Sequence, residues 1–216
     1  MVHFQAELIK WYDKHKRDLP WRHTKDPYKI WLSEIILQQT RVAQGLAYYE
    51  KFISTHPNVA SLANASEEEV LSLWKGLGYY SRARNLHKTA RQVQSDFKGK
   101  FPGSYEGLLK LAGVGPYTAA AISSFCYNEP KAVLDGNVFR LLSRLYDIDT
   151  PINTPKGQKE FSELAGAVLN IKEPAKHNQA MMEFGALQCL PQNPQCPNCP
   201  IIFECLSYNN GSVRER

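Results

Sequence analysis

Hydrophobic residues recur along most of the chain at the three- and four-residue spacing of amphipathic helices. In the segment SEEEVLSLW, Val70 and Trp74 fall on one helical face, and Ser66 and Glu69 have the spacing of a capping box that begins a helix. Similar apolar stripes cross two later segments, 155–169 and 177–187. No segment sustains the alternation of period two that is typical of strands. The pattern therefore predicts an all-α fold.

The composition is that of a soluble globular protein with one larger or two small domains. Of the 216 residues, 43% are apolar and 22% are charged. The N-terminal segment lacks the apolar core of a secretory signal, and no run of roughly eighteen apolar residues indicates a membrane span. A cytoplasmic location is expected, associated with the nucleoid if the source is bacterial. The net charge of +5 makes an acidic polymer a somewhat more plausible partner.

The segment LLKLAGVGPYTAAAI, residues 108–122, predicts two helices joined by a tight turn. The first helix is expected to end at Leu111, Gly113 and Gly115 to turn the chain, and Pro116 to begin the second helix. Backbone N–H groups at the start of that helix form an anion site suited to a DNA phosphate. The alternative is a helix–helix turn that binds nothing.

Asp135 precedes a helix whose apolar face consists of Val138, Leu141, Leu142 and Leu145. An aspartate in this position is a common N-cap. A carboxylate at a helix N-terminus is also expected to stay ionised, which would suit it to stabilise a cation. Both interpretations stay open on the residues alone.

Four of the five cysteines fall within seventeen positions, spaced C-x6-C-x2-C-x5-C: Cys189, Cys196, Cys199 and Cys205. Disulfides are not indicated, because they are typical of small secreted chains. Zinc is plausible, although structural zinc sites usually combine two short cysteine pairs. Four thiolates in one compact loop can instead hold an iron–sulfur cluster. Cys126 lies far from this loop and is most simply a packed thiol.

The helix–turn–helix segment, the following aspartate and the four cysteines together resemble the endonuclease III superfamily of DNA repair glycosylases, from about Trp11 to Cys205. The resemblance implies that the four cysteines hold a [4Fe–4S] cluster. It also implies a six-helix barrel domain, residues 20–130, which contains a helix–hairpin–helix at about 108–122. A cluster domain would comprise 1–19 and 131–216, with DNA bound by a monomer in the cleft between the domains.

Within this superfamily, three segments are similar to the adenine DNA glycosylases of the MutY family: 20–40, 76–87 and 178–186. Tyr117 stands where endonuclease III has a Schiff-base lysine, which argues against a lyase route through an imine. Thymine mismatch glycosylases of the archaeal type also resemble the chain and are an alternative. MutY proteins usually continue into a second, MutT-like domain that inspects 8-oxoguanine, and this domain is expected to be absent here.

The resemblance implies excision of adenine opposite 8-oxoguanine or guanine in double-stranded DNA, by hydrolysis of the N-glycosidic bond. Glu34 lies on a largely apolar helical face, where a carboxyl group can keep a proton and act as the general acid. The alternative for Glu34 is a carboxylate that reaches solvent or pairs with a nearby arginine. Asp135 would stabilise the oxocarbenium-like cation, and Tyr117 would orient the carboxyl groups.

The same resemblance assigns the residues that would hold the extruded base and the DNA. The adenine pocket is expected to be lined by Trp21, Arg22, Leu37, Gln179 and Met182. Tyr79 and Gln39 would enter the base stack as a wedge that fills the vacated gap. The full set of expected DNA contacts is Gln38, Gln39, Thr40, Leu77, Tyr79, Arg82, Arg84, Gly113, Gly115 and Asn137, and Lys88 is a further candidate.

Two other classes of function remain as alternatives. The chain could be a lyase-type repair nuclease that acts on abasic sites, which the absence of a lysine at Tyr117 disfavours. It could also be a non-catalytic iron–sulfur protein that binds DNA, such as a redox sensor. The presence of both Glu34 and Asp135 argues for catalysis.

Overall fold

The computed structural model describes residues 2–216, and the described chain is all helical with no strands, as the hydrophobic pattern predicts. The helices are α1 (Val2–His15), α2 (Pro27–Leu37), α3 (Val42–Thr55), α4 (Val59–Asn64), α5 (Glu67–Trp74), α6 (Ser81–Asp96), α7 (Tyr105–Leu108), α8 (Pro116–Tyr127), α9 (Gly136–Tyr146), α10 (Pro155–Val168), α11 (Pro174–Leu187) and α12 (Leu206–Asn209). Short 3-10 turns lie at Pro20–Arg22, Cys196–Asn198 and Ile202–Glu204. Nowhere in residues 2–216 is a helix both long and apolar enough to cross a membrane.

The chain divides into two compact units. The terminal unit comprises the described residues up to Arg17 together with Pro130–Arg216, and the central unit comprises Asp18–Glu129. The sequence had predicted domain boundaries after residues 19 and 130. The six-helix barrel and the DNA cleft remain predictions.

The terminal unit is built around one face of α1. Phe4, Leu8 and Trp11 recur at helical spacing along this face and are buried. The Trp11 ring meets Phe184 of α11 edge-on, with 4.7 Å between ring centroids. Helices α9 and α11 pack against each other, and α10 packs against α9. The core of this unit therefore joins the first helix of the chain to helices more than a hundred residues away.

The central unit is organised around α2, which packs against α3 and α8. Every residue from Ile30 to Ile36 is buried, as expected for a helix that is largely apolar all round. Asp26 caps its N-terminus by accepting from the Tyr28 N–H at 2.9 Å. Glu34 is thus carried into the interior by a helix that has little exposed surface.

Local signals in the sequence correctly predicted the starts of α5 and α8. Ser66 Oγ accepts from the Glu69 N–H at 3.1 Å, and the Glu69 carboxylate accepts from the Ser66 N–H at 2.7 Å, which completes the capping box. Pro116 is the first residue of α8.

The first helix of the helix–turn–helix segment ends earlier than predicted, at Leu108 rather than Leu111. Beyond Leu108 the backbone tightens, because the N–H groups of Lys110 and Leu111 donate to carbonyls only three residues back, at 3.2 and 3.1 Å. The turn that the glycines form is therefore longer than the sequence indicated.

Candidate active site and cysteine cavity

Glu34 and Tyr117 form a hydrogen-bonded pair inside the central unit. The Glu34 side chain lies on α2 and is 7% exposed. The Tyr117 hydroxyl, on the second residue of α8, donates to Glu34 Oε2 at 2.8 Å. Close by, the Gln38 amide approaches the Thr118 hydroxyl at 3.5 Å. The structure thus brings together two of the three residues that were predicted to be catalytic.

Asp135, the third predicted catalytic residue, lies in the terminal unit as the N-cap of α9. Its Oδ1 accepts from the Val138 N–H at 2.8 Å, and its Oδ2 accepts from the Asn137 side-chain amide at 2.8 Å. The predicted cap is confirmed. The helix N-terminus was expected to keep the pKa of this carboxyl low, but burial raises the pKa, and the donors from Val138 and Asn137 oppose that shift only in part.

A series of hydrogen bonds links Asp135 to Cys189, the first of the four clustered cysteines. The Asn137 Oδ1 accepts from Arg140 Nη2 at 2.9 Å, and Arg140 Nε donates to the Cys189 carbonyl at 2.8 Å. The side-chain amide of Asn137 is hydrogen-bonded within this chain, and its predicted contact with DNA stays a prediction. Sequence reasoning missed Arg140, because its partners lie up to 49 residues away and no local motif marks them.

The four clustered cysteines line one cavity in the terminal unit, with a volume of about 400 Å³ that includes its open mouth. Its other lining side chains are mostly apolar and include Leu145, Phe184, Ile201, Ile202 and Val213. Burial raises the thiol pKa of Cys196 and Cys205, and that of Cys199 to about 12. Within residues 2–216, no three histidine, cysteine or acidic side chains are arranged to hold a single metal ion.

Arg144 is the cationic neighbour of this cavity and is only 3% exposed. Its Nη1 donates to Cys189 Sγ at 3.4 Å and to the Leu190 carbonyl at 2.6 Å. Its Nη2 donates to the Pro191 carbonyl at 3.1 Å. The arginine therefore fixes the start of the cysteine loop and places positive charge beside a sulfur atom.

Asp147 fastens the last segment of the chain, residues 206–216, to the end of α9. Its carboxylate accepts from Ser207 Oγ at 3.0 Å, from Asn210 Nδ2 and Arg216 Nε at 2.8 and 2.9 Å, and from Ser212 Oγ at 2.5 Å. These donors lower the Asp147 pKa to about 2. Tyr208 and Val213 of this segment line the cysteine cavity. No local motif predicts this network, because its partners lie 60 to 69 residues from Asp147 in the chain.

The predicted wedge residues lie on two exposed loops of the central unit. Gln39, just after α2, has φ 56°, and Tyr79, just before α6, has φ 47°. Tyr79 is 66% exposed, whereas Leu77 beside it is buried. Arg82 was predicted to contact a DNA phosphate, but it is 9% exposed and its guanidinium donates to backbone carbonyls of the protein.

The other predicted contact residues of the central unit lie at its surface or near it. Arg84 is exposed and pairs with Glu67 at 3.3 Å, and Lys88 is exposed. Gly113 has φ +70°, and a Cβ there would meet the Asn85 side chain at 2.8 Å, so this turn requires glycine. Gly115 is exposed at the start of α8, as an anion site requires, and Thr40 is partly exposed.

The predicted adenine-pocket residues are divided between the two units. In the central unit, Trp21 is buried edge-on against Tyr49, with ring centroids 5.1 Å apart, and Arg22 and Leu37 are partly buried. In the terminal unit, Gln179 Oε1 accepts from the Tyr12 hydroxyl at 2.7 Å, and Met182 is partly buried. The pocket that would combine them stays a prediction.

Comparison with known proteins finds relatives that act in DNA base excision repair. A family model described as HhH-GPD superfamily base excision DNA repair protein matches residues 32–166. The adenine DNA glycosylase of Buchnera aphidicola (subspecies Baizongia pistaciae) is 43% identical, over 97% of this chain and 60% of its own length. The human adenine DNA glycosylase is 41% identical, over 94% of this chain and 39% of its own. This chain therefore spans about 60% of the length of the Buchnera relative.

Solved structures of the same architecture include a thermostable thymine-DNA glycosylase. It is 29% identical and superimposes with a TM-score of 0.88, over 96% of this chain and 95% of its own. An endonuclease III in a non-covalent complex with DNA, 21% identical, superimposes with a TM-score of 0.82 over 97% of this chain and 95% of its own, and shows the shared fold. Because the family model covers more than half of the residues, this chain belongs to the HhH-GPD superfamily of base excision DNA repair proteins.

Proposed function

We propose that this chain is the catalytic part of a monofunctional adenine DNA glycosylase, which hydrolyses the N-glycosidic bond of adenine mispaired with 8-oxoguanine or guanine in double-stranded DNA. The observation that carries the proposal is the buried Glu34 carboxyl bonded to the Tyr117 hydroxyl. Relatives that are 43% and 41% identical are adenine DNA glycosylases, which supports adenine as the substrate base.

In the proposed reaction, Glu34 gives its proton to the departing adenine. Adenine leaves poorly as an anion, and protonation of a ring nitrogen makes it a neutral leaving group. The electron pair of the glycosidic bond goes to the base, and the sugar is left as an oxocarbenium-like cation. The Tyr117 hydroxyl, at 2.8 Å from Oε2, holds the Glu34 carboxyl in one orientation.

Asp135 would supply the negative charge that stabilises this cation before water attacks the sugar. The Val138 N–H and the Asn137 amide each donate to one of its oxygens at 2.8 Å, which favours the ionised form and fixes the carboxylate plane. Tyr117 at the position of the endonuclease III lysine supports hydrolysis rather than an imine intermediate, because a phenol cannot form a Schiff base.

We propose that Cys189, Cys196, Cys199 and Cys205 hold a [4Fe–4S] cluster. All four line one cavity, and four thiolates in one compact loop can hold a cubane cluster, which is larger than a single ion. Arg144 would offset negative charge at Cys189. When bound, the cluster would cross-link four points of the loop. The purified protein should be brown and contain about four irons per chain; colourless protein with one zinc would contradict this proposal.

A second candidate function is thymine excision from a mismatch. It is favoured by the TM-score of 0.88 to a thymine-DNA glycosylase that covers 96% of this chain. The test is a panel of labelled duplexes that contain A opposite 8-oxoguanine, A opposite G, and T opposite G, assayed with and without alkaline treatment. Strand scission of the two adenine duplexes only after alkali supports the proposal. Scission without alkali, or of the T:G duplex alone, contradicts it.

The same panel tests lesion recognition. The 216 residues on their own should excise adenine opposite G and opposite 8-oxoguanine with little preference. Affinity for either duplex should then depend mainly on phosphate contacts, with log affinity falling by about 0.9 per neutralised phosphate against log salt. A large preference for 8-oxoguanine, unchanged when a MutT-like domain is added, would show that the lesion is recognised by this chain itself.

A further inference from the structure

Arg82 is a buried cation between the two exposed loops that carry Gln39 and Tyr79. It lies on the first turn of α6, and its partners belong to chain segments 38–40 and 76–79, together with the end of α2. All its hydrogen-bond acceptors in the described chain are carbonyl or hydroxyl oxygens, and none is a carboxylate. Its charge therefore interacts with the carbonyl end of the α2 dipole rather than with an acidic partner.

The Arg82 guanidinium donates hydrogen bonds to both loops, 38–40 and 76–79. Arg82 Nη1 donates to the carbonyls of Ile36 at 3.0 Å and of Gln38. Its Nη2 lies 3.4 Å from the Leu77 carbonyl and 3.5 Å from that of Gly78. The planar fork of an arginine spreads its donors over two nitrogen atoms that face different segments, whereas the three donors of a lysine radiate from a single nitrogen.

The two loops share an uncommon backbone conformation. Gln39 and Tyr79 both have left-handed φ values, 56° and 47°, which glutamine and tyrosine rarely adopt. Such residues persist where the surrounding structure holds them. Arg82 does so from both sides: it bonds the carbonyl that precedes Gln39, and its guanidinium lies 5.7 Å from the centroid of the Tyr79 ring.

We propose that Arg82 is a positioning residue that holds both loops in the conformation in which Gln39 and Tyr79 enter the DNA base stack, so that it controls extrusion of the base rather than cleavage of its bond. The inference rests on the proposed function, because it assumes that these loops meet DNA. Extruding a base costs unstacking and unpairing energy, and a wedge that is already in place lowers that cost.

The test is Arg82→Lys, compared with Arg91→Lys, a change of an exposed arginine on the same helix. Base extrusion is followed by stopped-flow fluorescence of 2-aminopurine placed beside the target adenine, with Glu34→Gln in both proteins to prevent excision. Arg82→Lys should slow the fluorescence rise by about 10- to 100-fold, the size of effect expected from misplaced positioning groups, and Arg91→Lys should not. Equal rates in the two proteins would overturn the proposal.

A second variant separates positioning from general loss of structure. Asparagine adopts the left-handed conformation more readily than glutamine, so Gln39→Asn should make loop 38–40 less dependent on Arg82. The Arg82→Lys effect should be at least several-fold smaller in a Gln39→Asn background, a coupling that a double-mutant cycle measures. Identical effects in both backgrounds would contradict the role proposed for Arg82.

Salt dependence distinguishes this role from a phosphate contact. If Arg82 positions the loops, the slope of log affinity against log salt should be the same for Arg82→Lys, Arg82→Gln and the unchanged protein. A slope reduced by about 0.9 in Arg82→Gln would assign Arg82 to a phosphate and overturn the inference. Failure of the proposed function would look different, because the unchanged protein would then release no adenine from any duplex.

Discussion

Glu34 and Asp135 are two buried carboxyl groups in environments that differ in their hydrogen-bond donors. Glu34 lies in the last turn of a helix that is buried from Ile30 to Ile36, and a phenol donates to it. Asp135 lies at a helix start, where a backbone N–H, an amide and, one step further, Arg140 converge on it. Donors favour the ionised form of a carboxyl group, and apolar surroundings favour the neutral form. The donors to Asp135 and the nearby Arg140 oppose the rise in pKa that burial causes there, which suits Asp135 to carry a charge, and the largely apolar helix around Glu34 suits that group to keep a proton and give it.

Asp135→Asn is one of the two substitutions with the largest expected effect, the other being Glu34→Gln. Excision of adenine should fall by about 10²- to 10³-fold, because the cation loses its counter-charge. Since burial raises the Asp135 pKa, ionisation of this group opposes folding as the pH rises through that raised value, and its favourable contribution is fully present only below 3.8, the ordinary value. The variant should therefore melt at a higher temperature than the unchanged protein at pH 7, and asparagine still caps the helix.

Thermal unfolding and single-turnover excision of Asp135→Asn are measured side by side. Exposed Asp149→Asn, in the loop after α9, is the control and should alter neither. A variant that is both active and destabilised would show that Asp135 is only a helix cap.

A smaller effect is expected when the hydrogen bonds that link Asp135 to Cys189 are broken. Arg140→Gln removes the donors to the Asn137 amide and the Cys189 carbonyl, so Asp135 loses its fixed orientation. Excision should fall by roughly 10-fold, a typical coupling through such a network. The acid limb of the pH–rate profile should also move to higher pH, because loss of this cation raises the Asp135 pKa further. An unchanged acid limb would contradict the link.

Tyr117→Phe removes a hydrogen bond to the other carboxyl group, Glu34. The variant keeps the ring and loses the hydroxyl that donates to Oε2 at 2.8 Å. Excision should fall by about 10-fold, the effect of one hydrogen bond to a functional carboxyl group, while affinity for the mismatched duplex changes little. Tyr105→Phe, which alters a tyrosine at the start of α7, serves as the control. Equal activity of Tyr117→Phe and the unchanged protein would show that the Tyr117 hydroxyl has no part in orienting Glu34 for the reaction.

The smallest effect is expected at Asp147, whose carboxylate contacts neither Glu34 nor Asp135. Its donors lower the pKa from 3.8 to about 2, so it stabilises the folded state above pH 3.8, and this contribution is lost as the pH falls toward 2. Asp147→Asn should lower the melting temperature at pH 7 and release the iron of the proposed cluster faster on exposure to oxygen, since Tyr208 and Val213 of segment 206–216 line the cysteine cavity. The difference in melting temperature should shrink at pH 3. A constant difference would show that charge is not involved.

Local chemistry determined how much the sequence could predict. The capping box of Ser66 and Glu69 and the proline at Pro116 are signals that lie within a few residues of a helix start, and both begin helices as predicted. Arg82, Arg140 and Asp147 could not be read in this way, because their partners are backbone carbonyls or side chains that lie up to 69 residues away in the chain. Arg82 in particular carries a charge that sequence alone places at the surface, whereas the end of α2 and the loop before α6 bury it.

The most direct test of the contrast between the two carboxyl groups is single-turnover excision of adenine opposite 8-oxoguanine by Glu34→Gln, measured together with its affinity for the same duplex. The amide keeps the shape of the side chain but has no acidic proton, so the rate should fall by at least about 10²-fold while the affinity is retained. Glu50→Gln, on the exposed face of α3, is the control. A Glu34→Gln protein that keeps most of its excision rate would contradict the assignment of Glu34 as the general acid.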